Sequence, residues 1–134
     1  MIARRLLLAL GLAALFLGVV AVVKYGESRG MVSPDIAKRT TQVLIGLGLA
    51  AYANLMPKQL SDQVRSPRAE AAAQAALRVG GWSLTLAGLA YAGLWAFAPW
   101  SMADTAATIV LAVATAVTAL YAAWTFATCR AARA

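Results

Sequence analysis

Histidine is absent from this chain of 134 residues, cysteine occurs once, and only five residues are acidic. Each shortage closes a class of chemistry. With no histidine and Cys129 alone, the two commonest soft metal ligands are missing and no internal disulfide can form. The five acids, Glu27, Asp35, Asp62, Glu70 and Asp104, all fall outside the apolar runs described below. No pairing of nucleophile and base, metal set or phosphate loop can be assembled from what remains, so neither an enzyme nor a cofactor is expected. Cys129, ahead of Arg130, reads as a small residue at a helix end rather than a reactive thiol.

What the chain has instead is apolar sequence. Hydrophobic residues make up 62% and charged residues 13%, where a soluble domain carries about 25% charged residues. Four runs, 6–23, 40–56, 79–98 and 105–129, contain no charge at all. With a rise of about 1.5 Å per residue, such runs are long enough to cross a hydrocarbon core roughly 30 Å thick. The expected fold is all-α: an integral-membrane four-helix bundle, one domain over 1–134 with spans at about 6–23, 40–56, 79–98 and 105–128. The first run follows Arg4 and Arg5 as a secretory signal would, yet it continues through Val22 and Val23 into Lys24. That length predicts an uncleaved span.

Twelve Lys and Arg against five acids give a net charge of +7. The basic residues flank the runs, so anionic lipid is the partner they suit, and the interleaved stacking aromatics of a nucleic-acid surface are missing. Alternating the sides puts Arg4, Arg5, Lys58, Arg65, Arg68, Arg78, Arg130 and Arg133 on one face of the membrane and Lys24, Arg29, Lys38 and Arg39 on the other. The positive-inside bias then predicts cytoplasmic termini and a cytoplasmic middle loop in a multi-pass protein of the inner membrane. Tyr25, Trp82, Trp95, Trp100, Tyr121 and Trp124 fall near span ends and read as headgroup-level anchors.

Local signals sharpen the helices. Ser33-Pro34 and Ser66-Pro67 each offer an N-cap followed by proline at the first helical position. The Ala-rich stretch from Arg68 to Arg78 predicts a helical lead-in to the third span, with Gly80 and Gly81 as a place for a kink. Lipid supplies no hydrophobic drive for helices to associate, so lines of small residues must supply close contact. Four-residue steps pick out Gly46, Ala50 and Asn54; Gly88, Ala92 and Ala96; and, on the last span, Ala112 with Ala116 and Ala119 with Ala123. The second and third spans are expected to be neighbours through Gly46 and Gly88. Asn54 is the most polar residue within a span but stands three residues from Pro57, which favours a helix-end role over transport.

The stretch from Ile45 to Gly93 carries a series of motifs: Ala53-Asn54-Leu55-Met56-Pro57-Lys58 at a span exit, then Arg65-Ser66-Pro67, then Arg78-Val79-Gly80-Gly81-Trp82 opening the next span. This series resembles the SdpI family of bacterial membrane proteins. That family has Gly-Asn at the exit, Arg-Thr-Pro-Trp-Thr in the loop and His-Arg-x-Gly-Gly at the next entry. Ala53, Arg68 with Ala69, and the residue before Arg78 depart from the pattern. The resemblance implies peptide immunity or signalling, with Asn54, Pro57, Arg65, Pro67, Arg78 and Gly81 as binding residues and a peptide or protein as partner. Two other functions stand beside it. A small transporter or channel would need an intramembrane carboxylate for proton coupling, and none is present. An accessory subunit of a larger complex, or a homo-oligomer, would suit the small faces.

Overall fold

The computed structural model describes residues 2–55 and 67–131. Among them are four helices and no strand: α1 (Ile2–Ser28), α2 (Pro34–Leu55), α3 (Pro67–Phe97) and α4 (Trp100–Ala131). Each helix outruns its apolar run. Asp35 and Glu70 are helical, as the start at Pro34 and the lead-in over 68–78 predict, and Glu27 and Asp104, outside the apolar runs, are helical too. Asp35 and Glu70 occupy the first turns of α2 and α3, where a carboxylate meets the positive end of the helix dipole. Asp62 lies outside the described residues.

The ends form as their residues dictate. The Ser33 hydroxyl accepts from the Ile36 N–H at 3.4 Å, and Pro34 opens α2. The expected start at Ser66-Pro67 falls where the described residues resume: Pro67 is helical, and Ser66 lies outside the described residues. The helix then continues through Arg78, Gly80 and Gly81 as one element. Between α1 and α2 the chain reverses on Gly30, at φ 71°. The Gly30 N–H donates to Glu27 O at 3.0 Å and the Met31 N–H to Gly26 O at 2.9 Å, the paired bonds of a Schellman ending. α3 and α4 are joined by Ala98 and Pro99 alone. The Pro99 carbonyl accepts from Met102 and Ala103, both at 3.0 Å, and so starts α4 five residues before the sequence reading placed it.

Among the described residues, two helices are long and apolar enough to cross a membrane, α1 over Leu10–Ser28 and α4 over Trp100–Thr128. Charged, glycine and polar residues dilute α2 and α3, so the described parts of those helices are less apolar than the other two. Large apolar side chains point outward from every helix: Leu15 and Leu17 on α1, Ile45 and Tyr52 on α2, Leu86 and Phe97 on α3, Ile109 and Leu120 on α4. What is buried is mostly alanine and glycine, with Trp95 the large exception.

α2 and α3 pack antiparallel and closely. A Cβ added at Gly46 would stand 2.8 Å from both the Ala92 nitrogen and the Gly88 oxygen; one added at Gly88 would stand 2.7 Å from the Ala50 nitrogen and the Gly46 oxygen. The two glycines therefore let the backbones touch, as the sequence predicts. α3 packs on α4 with its other side, where Gly80 meets Thr118 and the Ser83 and Thr118 hydroxyls lie 2.8 Å apart. Among the described residues α1 touches only α2, with the Phe16 ring against Gly48, so the four helices contact one another in chain order with α2 and α3 as the inner pair. α1 is apolar on every face, so nothing in it favours protein over lipid, and its Gly11 and Gly18 meet nothing within 4 Å.

The small lines are corrected in their spacing. Asn54 and Ala96 are exposed, and the buried positions are Ala53 and Trp95. On α4 the expected Ala112, Ala116, Ala119 and Ala123 all face outward, while Ala103, Ala107, Ala114 and Thr125 are buried. A step of four residues drifts about 40° around a helix. Alternating steps of four and three keep one face on a neighbour, as in left-handed helix pairs. Gly46, Ala50, Ala53 and Gly88, Ala92, Trp95 follow that alternation.

Candidate functional site

The residues singled out by the SdpI-like motifs divide three ways. Asn54, one residue from the end of α2, is exposed, as are Pro67 at the start of α3 and Arg78 eleven residues further along. Gly81 is buried in the helix packing. Pro57 and Arg65 lie outside the described residues. The antiparallel register carries Asn54 to about the level of Gly81, so the exit of α2 and this part of α3 belong to the same edge of the row. Asn54 and Arg78 thus offer polar side chains at an exposed surface.

The denser arrangement is at the opposite edge, where the sequence reading placed only loop charges and anchoring aromatics. Trp95, in the last turns of α3, is 1% exposed and is the largest fully buried side chain. It packs on Ala103 and Ala107 of α4, with Val43 and Tyr91 against the same cluster. Its expected role as a membrane anchor is therefore corrected: the two-residue turn swings α4 across its face. Its Nε1 is buried with no hydrogen-bond partner among the described residues. Trp100 meets it edge to face, ring centroids 5.7 Å apart at 84°. Trp82 and Trp124 are exposed, as anchors would be.

Two cations from the first turns of α2 reach this pair. The Arg39 guanidinium donates from Nη1 to Trp95 O at 2.8 Å and from Nη2 to Ala98 O at 3.0 Å. It thereby satisfies terminal carbonyls of α3 and places a positive charge at the negative end of that helix. Its Cζ also lies 5.2 Å from the Trp100 ring centroid. Lys38 Nζ stands 4.9 Å from the Trp100 centroid and 5.4 Å from that of Trp95, within cation–π range. One turn deeper, the Tyr91 hydroxyl donates to Gln42 Oε1 at 2.6 Å. Two signals for this cluster were in the sequence: Lys38-Arg39 immediately before an apolar run, and Trp95 and Trp100 on either side of Pro99. What joined them was the antiparallel register of α2 and α3.

Removing the Arg39 bonds has a measurable cost. Arg39→Leu is expected to lower stability by about 2 kcal/mol, since two bonds from a charged donor are lost and carbonyls at a helix end are left unpaired. Lys38→Leu gives up only stacking over the same rings and is expected to cost about 0.5–1 kcal/mol. Thermal unfolding of the two variants in one detergent compares them. Equal losses would mean that the carbonyl contacts carry no weight.

The described residues therefore form an all-helical protein with two helices able to cross a membrane and a cationic, aromatic cluster at one edge. No family model, curated protein or solved structure matches this chain.

Proposed function

We propose that this is a multi-pass protein of the inner membrane with cytoplasmic termini, acting as a binding or regulatory protein of the SdpI type rather than as a transporter or enzyme. The observation that carries this reading is where the polar groups lie. Glycine, alanine and Trp95 fill the contacts among α2, α3 and α4, and the polar links between these helices away from their ends are uncharged: Ser83 with Thr118, Tyr91 with Gln42, and Thr85 with Ala50 O. The charged residues lie outside the four charge-free runs. A membrane protein so built acts at its edges, because a translocation path for ions or protons calls for charged or titratable groups within the bilayer.

The α2–α3 edge is the proposed contact surface. Asn54, Pro57, Arg65, Pro67 and Arg78 are its residues, with Gly81 buried beneath them in the helix packing, and a peptide or a protein is its partner. Alanine substitution of Asn54, Arg65 and Arg78 together is expected to abolish resistance to a secreted peptide, or recruitment of a repressor, while the variant still fractionates with membranes. Solute or proton flux in proteoliposomes that survives in the triple variant would overturn the reading in favour of a transporter. Residual membrane localisation after carbonate washing tests the membrane assignment separately.

A further inference from the structure

The cluster at the other edge holds two cations that no carboxylate pairs with among the described residues, although Asp35 in the first turn of α2 and Asp104 near the start of α4 lie at the same edge. Lys38 and Arg39 are adjacent in sequence, and both lie within about 5 Å of one indole, that of Trp100. Arg39 is engaged: its two nitrogens serve the carbonyls of Trp95 and Ala98. Lys38 has neither a carbonyl nor a carboxylate partner among the described residues, although its ammonium is held over Trp95 and Trp100. The one ion pair among the described residues, Lys24 with Glu27 at 2.7 Å, belongs to α1. An ammonium with three donors and no acceptor, beside a second cation, selects for an anion.

The surroundings narrow the anion. Lys38 itself is exposed, so a ligand reaches it without rearrangement. Around the same edge, Ile36, Phe97 and Met102 present large apolar side chains outward, Phe97 at 89% exposure. A free phosphate has no use for those groups. A phospholipid does, because its headgroup stands at the level of the cation and indoles while its acyl chains run down the apolar outer faces.

We propose that Lys38, supported by Trp95 and Trp100, forms a binding site for the phosphate of an anionic phospholipid. The proposal rests on the membrane reading above. Arg39 fixes the end of α3 and so holds the two indoles beneath Lys38; it acts as a positioning residue. The site binds by one charge-assisted contact from Lys38, and its selectivity for anionic over zwitterionic lipid comes from the unpaired ammonium of that residue.

The test uses the full chain in a neutral maltoside detergent, with Trp82→Phe and Trp124→Phe so that Trp95 and Trp100 alone report. Short-chain phosphatidylglycerol is titrated and tryptophan emission followed. A saturable response is expected, and Lys38→Gln should weaken it about fivefold, the value of one basic residue at a charged lipid surface. Lys38→Arg should retain affinity within about twofold, since the charge stays. Phosphatidylcholine should give a weaker response that ignores position 38. The proposal is overturned if Lys38→Gln binds phosphatidylglycerol as the parent does, if phosphatidylcholine binds as tightly, or if millimolar inorganic phosphate displaces the lipid. Recovery of the parent chain in the soluble fraction would instead sink the membrane reading on its own.

Discussion

Gly46→Leu and Gly88→Leu are each expected to destroy the α2–α3 pairing, with a stability loss of more than about 3 kcal/mol, beyond the usual 1–3 kcal/mol of an overpacked site. The reason is that the obstacle is backbone. At both glycines an added Cβ would lie under 3 Å from main-chain atoms of the facing helix, which no rotamer change can move. Even Gly46→Ala should be felt, because the first atom is the one that clashes. Gly18→Leu and Gly93→Leu are the matched controls, since a Cβ at either meets nothing within 4 Å. Denaturation of all four in one detergent decides the matter. If Gly46→Leu unfolds at the same point as Gly18→Leu, the close crossing is absent.

Trp95→Ala is expected to cost about 3–5 kcal/mol, the range for removing a large buried side chain. The hydrophobic part of that range is reduced where the unfolded helices remain in lipid, but the lost packing contacts are not. Trp95 is the side chain on which the turn end is built: Ala103 and Ala107 pack on it, Trp100 stands edge-on to it, and its own carbonyl holds Arg39. Trp95→Phe should cost less, because it keeps a ring in place and deletes an Nε1 donor that has no partner. Trp100→Ala, at a more exposed ring, should cost less than Trp95→Ala. A Trp95→Ala variant as stable as Trp100→Ala would remove Trp95 from the core.

The comparison of α2 with α4 shows where sequence reading reached its limit. On α2 and α3 two glycines stood at matching depths, and only glycine permits a backbone crossing, so the partner faces were legible. On α4 alanine occurs on every side, and no residue distinguishes the face against α3 from the face turned outward. The alanines chosen there proved to be the exposed ones. Of the SdpI-like residues, Asn54, Pro67 and Arg78 are exposed and Gly81 is buried.

The sequence by itself determined the helices, their caps and their apolar character. Ser33-Pro34, Gly30 and Pro99 act through bonds to residues within a few positions, and the absence of charge over a run of residues is a property of that run alone. Tertiary structure decided the rest: the order of helix contacts with α2 and α3 as the inner pair, the burial of Trp95, and the meeting of Lys38 and Arg39 with Trp95 and Trp100 across 56 to 62 positions. Those outcomes depend on the register between helices. Register is set by the depth at which two small faces fit together, which is a property of both helices at once and cannot be read from either.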